Sequence, residues 1–340
     1  MDQQPVIRVA FVLLPHSLAL DWAGPAEALR IANQVLCSQG LPERFALEFV
    51  GPDPQTVSSI GLLLSGLAPL PTPPNQPGAP DTRPLWVVLV GQPGQTIGVG
   101  NDATRAALHW LRGLRLATDM VELVSICAGS VLAAHAGLLA GRRATTHHHH
   151  LDELRQVEPH CDVVANRVFV EDAPVYSSAG VTTGIDLMLH RISAVCGPAL
   201  AAQVAQTMVV ALRRGPQDPE LSPFLAYRNH LHPALHRVQD AVSEMPTSCW
   251  TVPGMAKVAH TSPRHLTRLF LEHTGIAPLQ YLRRIRLAVA QTALQSGHSV
   301  SRAAEAAGFS SDTQLRRAWQ QFALAGTPSA AQRAPVHPPK

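Results

Sequence analysis

A pattern of apolar residues that occurs twice near the C-terminus constrains the fold more than any other feature of this sequence. Apolar residues recur at helical spacing (i, i+3, i+4, i+7), which predicts the buried stripe of a short helix. The stripe is formed in the first copy by Val252, Met255, Ala256 and Ala259, and about 48 residues later by Val300, Ala303, Ala304 and Ala307. The chain is therefore expected to contain two small helical lobes built on one plan.

A second helix is predicted after each stripe. Ser262 supplies a hydroxyl that can cap the free N–H groups of the first turn. Pro263 follows at the first helical position, where the N–H group that proline lacks would have no partner within the helix. In the second copy Gly308 supplies a turn, and either Ser310 or Ser311 caps the helix. The inner faces consist of Leu266, Leu269 and Phe270 in the first copy and Leu315, Ala318 and Trp319 in the second. Small alanines in each first helix let the second helix cross it closely, which is the helix-turn-helix arrangement.

Polar and basic residues occupy the outward faces of these helices, and they are the predicted DNA contacts. A long helix from Pro278 to about Gln295 would hold the lobes at a fixed spacing. If that spacing is about 34 Å, both second helices can enter successive major grooves. The predicted contacts on the second helices are Arg264, His265, Arg268, Thr313, Gln314, Arg316 and Arg317, and those on the long helix, expected to hold phosphates, are Arg283, Arg284 and Arg286.

The charge of the chain is unevenly distributed, and the C-terminal part that contains the repeat is the basic part. Residues 231–340 contain 12 Lys and Arg against 5 Asp and Glu, whereas residues 1–230 contain 15 against 19. A basic C-terminal third attached to an acidic body indicates that one end meets a polyanion. A helical interaction domain with an incidental basic face is the alternative.

Two stretches, HTSPRHLTRLFLEHTGIAPLQYLRRIRLAVAQTAL and AAEAAGFSSDTQLRRAWQQF, resemble the AraC/XylS-type DNA-binding domain over nearly its full length. One departure is GTPSAAQR, where the family usually closes its last helix with a Gly-x-Ser-Pro-x-x-Tyr-Arg type of sequence. The resemblance implies a transcriptional regulator that binds an operator of two half-sites in double-stranded DNA. It also implies a homodimer, and RNA polymerase is a candidate further partner.

The first two-thirds of the chain alternates short apolar runs with longer helical patterns. Runs such as Val6–Leu14, Leu85–Val90 and Val121–Ile126 have the length and β-branched content of buried strands. Strands that alternate with helices, predicted for example at Pro25–Leu36 and Ala128–Ala140, indicate right-handed crossovers. The predicted fold class is α/β, flavodoxin-like, with a mostly parallel sheet covered by helices on both faces, followed by an all-α domain with two helix-turn-helix motifs.

The domain boundaries follow from these patterns and from one Pro-rich polar segment. That segment, 213–230, is predicted to be a linker because its composition offers little surface to bury. We predict an α/β domain over 1–212, a DNA-binding domain over 231–332 and a disordered tail over 333–340.

Cys127 lies at a predicted strand-to-helix junction, where a nucleophile elbow places a reactive side chain and the helix N-terminus lowers a thiol pKa. The stretches LDWAGPAEALRIAN, ICAGS, GLLAGRRATTH and SAGVTTGIDLMLH resemble the PfpI/ThiJ branch of the class I glutamine-amidotransferase-like fold. The order of the two domains resembles the GlxA-type subfamily of AraC regulators. The resemblance implies that Asp21 faces Cys127, and we predict that Asp21, Cys127 and Gly91 line the pocket of a small-molecule effector, for which an amino acid or an amine is a candidate.

An enzyme is the alternative to a sensor in this domain. Related proteases and amidotransferases either follow the cysteine with a histidine or place a His–acid pair nearby as the base. Here Ala128 follows Cys127, so the local base is absent. A nucleophile without an identifiable base lacks half of what covalent catalysis needs. We therefore expect no catalysis and no cofactor, the alternative being a cysteine-dependent hydratase or amidase-like enzyme fused to a DNA-binding domain.

Four consecutive histidines, His147–His150, are a candidate metal site. On an α-helix successive side chains point about 100° apart, so only His147 and His150 would share a face. Zinc sites need three or four ligands, and we therefore expect no metal here.

The location of the protein is predicted from its cysteines and its hydropathy. Five cysteines are scattered without a CxxC pair, which is typical of a reducing compartment. No apolar run reaches the roughly 18 residues of a membrane span, and acidic Asp2 with a short apolar stretch argues against a signal peptide. We expect a cytoplasmic protein without membrane contact.

Overall fold

The computed structural model describes residues 5–210, 214–216, 218, 220, 223–228, 230–322, 324 and 326–331. The chain divides into two units, Met1–Glu220 and Leu221–Lys340, which we call the α/β unit and the helical unit. The division falls within the predicted 213–230 linker. The predicted tail 333–340 lies outside the described residues, and the predicted domain bounds remain predictions.

In its described part, the α/β unit contains a central sheet and two small two-stranded sheets. The strands are β1 (Ile7–Val12), β2 (Phe45–Val50), β3 (Gln55–Val57), β4 (Leu63–Ser65), β5 (Leu85–Leu89), β6 (Val121–Ile126), β7 (Arg143–Ala144), β8 (Asp162–Val163), β9 (Phe169–Asp172) and β10 (Val175–Ser178). Among the described residues, six of them form one sheet in the order β2-β1-β5-β6-β10-β9, parallel except between β9 and β10. Every residue of β1, β5 and β6 is buried, so both faces of the sheet are covered. The predicted α/β class is confirmed.

Helices pack against this sheet in two groups. The helices are α1 (Ala19–Ser38), α2 (Asp102–Arg112), α3 (Gly129–His135), α4 (Leu151–Val157), α5 (Thr183–Cys196) and α6 (Pro198–Thr207). One group comprises α1, α5 and α6, and the other α2, α3 and α4. Among the described residues, no helix combines the length and the apolar character that crossing a bilayer requires.

Two predicted helices have different bounds in the structure. Helix α1 begins at Ala19, so that Pro25 lies inside it rather than at its start. A proline inside a helix costs about 3 kcal/mol, and burial of Gly24, Ala28 and Leu29 on both sides of it offsets that cost. Helix α3 ends at His135 instead of Ala140, because Gly137 adopts a left-handed φ of 75° that stops the helix.

The helical unit consists of two lobes that share one long helix. Its helices are α7 (Pro223–Ala226), α8 (Pro233–Glu244), α9 (Val252–Val258), α10 (Pro263–Thr274), α11 (Pro278–Gln295), α12 (Val300–Ala306), α13 (Asp312–Gln321) and α14 (Pro328–Ala331). The N-terminal half of α11 contributes Tyr281 and Ile285 to the core of the first lobe. Its C-terminal half contributes Leu287 and Leu294 to the core of the second lobe. The repeat, the two lobes and the connecting helix agree with the sequence pattern.

Several described residues of the predicted 213–230 linker make contacts within their own unit. In the α/β unit the Arg214 guanidinium donates to the Asp186 carboxylate at 2.6 and 2.9 Å, and the carbonyl of Asp218 accepts from Val168 N at 3.0 Å. In the helical unit Phe224 and Tyr227 pack against the core of the first lobe. An ion pair, a main-chain hydrogen bond and two aromatic rings hold a segment whose composition alone predicts no packing.

Candidate DNA-binding surface and effector pocket

The two second helices, α10 and α13, begin at capping serines. Ser262 Oγ accepts a hydrogen bond from His265 N at 3.2 Å, and Ser311 Oγ accepts one from Gln314 N at 3.2 Å. Of the two candidate caps of the second lobe, the structure selects Ser311. Ser310 N instead donates to Gln314 Oε1 at 2.7 Å. Each cap satisfies an N–H group that the first turn of the helix leaves free.

A left-handed residue makes the turn between the two helices of each motif. In the second lobe this residue is Gly308, with a φ of 77°, as predicted. A Cβ there would lie 2.6 Å from Thr247 Cα, so a side chain does not fit. In the first lobe His260 takes the position with a φ of 53°. Sequence reasoning missed His260, although histidine is among the residue types enriched in the left-handed region.

The predicted contact residues of α10 lie on its outer face. Arg264 and Arg268 are exposed, and His265 is half-buried. The guanidinium of Arg268 lies 3.1 Å from His265 Nδ1, so the two side chains form one polar group.

The predicted contact residues of α13 are all exposed: Thr313, Gln314, Arg316 and Arg317. The Arg316 guanidinium donates to Ser329 Oγ on α14 at 3.0 Å. This hydrogen bond attaches the divergent C-terminal stretch to the outer face of the second lobe.

The three arginines of α11 do not share one role. Arg283 is exposed, as a phosphate contact requires. The Arg284 guanidinium lies over the rings of Phe322, at 4.9 Å, and Tyr227, at 5.8 Å. Arg286 donates from Nε to the Pro246 carbonyl and from NH2 to the Ser248 carbonyl, both at 2.8 Å, and burial lowers its pKa. We therefore withdraw Arg284 and Arg286 from the predicted phosphate contacts, because the protein itself uses their guanidinium groups.

In the α/β unit, Cys127 follows β6 directly and has a left-handed φ of 57°. Its amide donates to the Ser178 carbonyl at 3.0 Å, and its carbonyl accepts from Thr146 Oγ1 at 2.9 Å. A Cβ on Gly180 would lie 2.3 Å from Cys127 Cβ, and one on Gly91 would lie 3.0 Å from Cys127 Sγ. The backbone therefore encloses the thiol closely on two sides, and only 3% of Cys127 is exposed.

Asp21 lies against Cys127, as the family resemblance implied. Its carboxylate is buried and accepts from Gly91 N at 3.1 Å and from Val181 N at 2.8 Å. Burial raises the pKa of Asp21, and the two amide hydrogen bonds oppose that shift. The structure thus brings together Asp21, Cys127 and Gly91, the three predicted pocket residues, as one buried group.

The pKa of Cys127 does not follow the lowering that a position at a helix N-terminus favours. Burial and the facing Asp21 carboxylate both raise the pKa of this thiol. The helix that follows, α3, has only 7 residues. Its N-terminus does not compensate for desolvation and a neighbouring negative charge.

The α-helical geometry assumed for the histidine run is wrong. His148–His150 form a 3-10 turn, and His147 precedes it with extended backbone. His150 points inward, with Nδ1 2.7 Å from the Glu153 carboxylate. The potential ligand atoms of His147, His148 and His149 lie within 4.8 Å of one another. Burial and the neighbouring rings lower the pKa of His147 to about 4.

Comparison with known proteins relates both units to described families. The model of a helix-turn-helix domain matches residues 255–334, and that of the DJ-1/PfpI family matches residues 86–194. The HTH-type transcriptional regulator CdhR of Pseudomonas aeruginosa is 30% identical over 320 residues, covering 91% of this chain and 87% of CdhR. This chain belongs to the GlxA-type regulators of the AraC family.

Two further relatives are a transcriptional regulator and an enzyme, and they differ in how much of this chain they cover. The HTH-type transcriptional regulator GlxA of Rhizobium meliloti is 29% identical over 333 residues, covering 98% of this chain and 97% of GlxA. Isonitrile hydratase of Pseudomonas putida is 29% identical over 214 residues, covering 63% of this chain and 81% of the hydratase. Full-length similarity is thus to regulators, and similarity to an enzyme covers a shorter part of the chain.

Proposed function

We propose that this regulator binds an operator of two half-sites by inserting α10 and α13 into successive major grooves. The observation that carries the proposal is the equivalence of the two helices. Each begins at a capping serine and presents an exposed arginine six residues later, Arg268 in the first lobe and Arg317 in the second. A rigid α11 shared by both lobe cores supports a constant spacing between them.

We assign base and phosphate contacts by position. Arg264, His265 and Arg268 would contact one half-site, and Thr313, Gln314, Arg316 and Arg317 the other. Arg283 would hold a phosphate, since its side chain is exposed at the start of α11. Arginine is the side chain most often used for guanine, through two parallel hydrogen bonds.

Selection of DNA fragments from a random pool by the purified protein tests this proposal. We expect enrichment of two half-sites about one turn, roughly 34 Å, apart. Arg268→Ala should relax selection in one half-site and Arg317→Ala in the other. Arg115→Ala, which removes an exposed arginine of the α/β unit, serves as the control for charge and should leave the motif unchanged. Binding that depends on salt but not on sequence would contradict the proposal.

The regulator is proposed to act as a homodimer through the hairpin β3–β4. Three apolar residues of this hairpin are well exposed: Ile60 (75%), Leu62 (54%) and Leu63 (59%). Adjacent exposed apolar side chains are typical of protein interfaces. Sedimentation analysis of Ile60→Glu should show a monomer. The control is Val209→Glu, since Val209 is 84% exposed elsewhere on the unit and its replacement should leave a dimer.

The proposed effector is a small amine or amino acid whose ammonium group pairs with Asp21. A buried carboxylate with a raised pKa gains most from a positive partner. Val181 is 42% exposed and donates its amide to this carboxylate, so the Gly180–Val181 segment would have to move for a ligand to enter. Asp21→Asn should abolish the rise in melting temperature that a binding amine produces, whereas Cys127→Ala should retain it.

We propose that Cys127 has no catalytic role and that the protein works in the cytoplasm, where its five free cysteines stay reduced. A thiol with a raised pKa is a poor nucleophile, and among the described residues no histidine is hydrogen-bonded to it. The hydratase alternative predicts conversion of an isonitrile and water to the N-substituted formamide. Turnover that disappears in Cys127→Ala but not in Cys37→Ala would establish that alternative.

A further inference from the structure

Three imidazole rings form a cluster outside the DNA-binding surface. His147 precedes the 3-10 turn, and its ring lies against the rings of the next two residues. The ring centroid of His147 lies 4.1 Å from that of His148 and 4.9 Å from that of His149. One potential ligand atom of each ring lies within 4.8 Å of the other two. The cluster thus offers three imidazole nitrogen ligands on one side of the turn.

A buried carboxylate orients one of these rings. Glu220 Oε1 lies 2.7 Å from His148 Nδ1, and the amide of His148 donates to the same oxygen at 3.2 Å. The side chain of Glu220 is only 7% exposed. A carboxylate that accepts from Nδ1–H leaves the lone pair of Nε2 available, which is the usual arrangement behind metal-binding histidines.

The fourth histidine of the run anchors the turn instead. His150 is buried, with Nδ1 2.7 Å from Glu153 Oε2, and the other oxygen of Glu153 accepts from Ile97 N at 2.7 Å. The run therefore divides into one structural histidine and three that face one another.

We propose that His147, His148 and His149 bind one divalent transition-metal ion, with Zn²⁺ as the best match. Imidazole nitrogen is a preferred ligand of Zn²⁺ at about 2.0–2.1 Å, and three protein ligands leave a fourth position for water or a small ligand. Ligand atoms that lie up to 4.8 Å apart must approach one another by up to about 1.4 Å to reach that geometry. His149 is exposed, so its side chain can rotate to close the site.

The site lies next to the elbow of the α/β unit. His147 follows Thr146, whose hydroxyl holds the Cys127 carbonyl. A bound ion would therefore brace the segment that supports the elbow. The metal site is independent of the proposed DNA contacts and of the proposed effector. Failure of the metal site would leave those two proposals standing, and their failure would leave the metal site standing.

Titration of the full-length protein with Zn²⁺ and Co²⁺, after chelator treatment, tests the proposal. The purification tag must contain no histidines. We expect one equivalent of Zn²⁺, and with Co²⁺ the visible absorption bands of a four-coordinate ion. His149→Ala should weaken binding at least tenfold, and Glu220→Gln by about 10- to 100-fold. His160→Ala removes a histidine whose side chain is 85% exposed outside the cluster, and it should bind as the unchanged protein does.

Three results would overturn the proposal. One is an unchanged affinity in His149→Ala, with the variant shown to be folded by its melting curve. Another is a thiolate-to-cobalt charge-transfer band, which would place the ion on cysteine. The third is loss of binding in His236→Ala, because His230 and His236 belong to a second group of histidine rings, 4.6 Å apart, in the helical unit.

Discussion

The two lobes of the helical unit have the same plan but differ at the turn inside each motif. In the first lobe only Thr261 separates the left-handed His260 from the cap Ser262. In the second lobe two residues separate Gly308 from the cap Ser311. The surroundings differ too, because a Cβ at position 308 would lie 2.6 Å from Thr247 Cα, in the loop that joins α8 to α9. A repeat in sequence therefore does not impose equal constraints on its two copies.

The loop containing Thr247 connects α8 to α9 in the first lobe and packs against Gly308 of the second lobe. Arg286 donates to the carbonyls of Pro246 and Ser248 in this loop, and its Nε would lie 3.2 Å from a Cβ at position 308. The turn of the second lobe is thus packed against the first lobe, whereas His260, in the turn of the first lobe, is exposed. Mutations can test this difference directly.

The largest expected effect is that of Gly308→Ala. The left-handed conformation costs an alanine about 1–2 kcal/mol, and relieving the contact with Thr247 costs about 1–3 kcal/mol more. We expect the free energy of unfolding in urea to fall by about 2–5 kcal/mol. His260→Ala keeps the strain that is already present and should change stability by less than about 1 kcal/mol. Equal losses in both variants would show that the lobes are constrained alike.

Arg286→Ala should lower the stability of the unit by about 2–3 kcal/mol, because it leaves two carbonyls of the joining loop without their charged donor. Arg283→Ala is the matched control from the same helix, and its stability should be unchanged. Instead, the slope of the logarithm of its DNA affinity against the logarithm of the salt concentration should become shallower by about one unit. A destabilised Arg283→Ala with a stable Arg286→Ala would reverse our assignment of the two arginines.

Arg268→Ala and Arg317→Ala compare the lobes as DNA readers. Each should weaken operator binding by about 1–2 kcal/mol, and the double variant should show the approximate sum, since the two residues lie in separate lobe motifs. Fluorescence anisotropy with a labelled operator measures all three affinities. If one substitution has no effect, only the other lobe reads sequence.

The smallest expected effect is a gain from His260→Gly. Glycine adopts a left-handed φ without the cost that a side chain meets, although it loses more entropy on folding. We expect a rise in unfolding free energy of up to about 1 kcal/mol, measured by thermal melting. A loss of stability would mean that the imidazole of His260 makes a contribution that outweighs its backbone strain.

Patterns that depend on one element were predictable from the sequence. The buried strand β6 matched its predicted bounds, Val121–Ile126, because a strand covered on both faces is mostly apolar. Helix α11 matched Pro278–Gln295, because a proline at its start and a regular apolar spacing are local signals. For the second helix of the second lobe, the sequence left two candidate caps, Ser310 and Ser311, and the structure shows that Ser311 is the cap.

Properties that depend on several elements were not predictable. The thiol of Cys127 has the local setting of an activated nucleophile, yet burial under Gly180 and the carboxylate of Asp21 raise its pKa. Arg286 has the spacing of a phosphate contact, yet a loop about 40 positions away accepts its hydrogen bonds.

The sequence by itself determined the two kinds of architecture, the two-lobed repeat and the helices that carry the predicted DNA contacts, because periodicity and capping act between residues a few positions apart. Only the tertiary structure decided which polar groups are available for function. It enclosed Cys127 with Asp21, turned Arg286 inward and gathered three rings of the histidine run beside Glu220. Charge, burial and hydrogen-bond partners depend on which distant segments meet, and the order of residues along the chain does not specify those meetings locally.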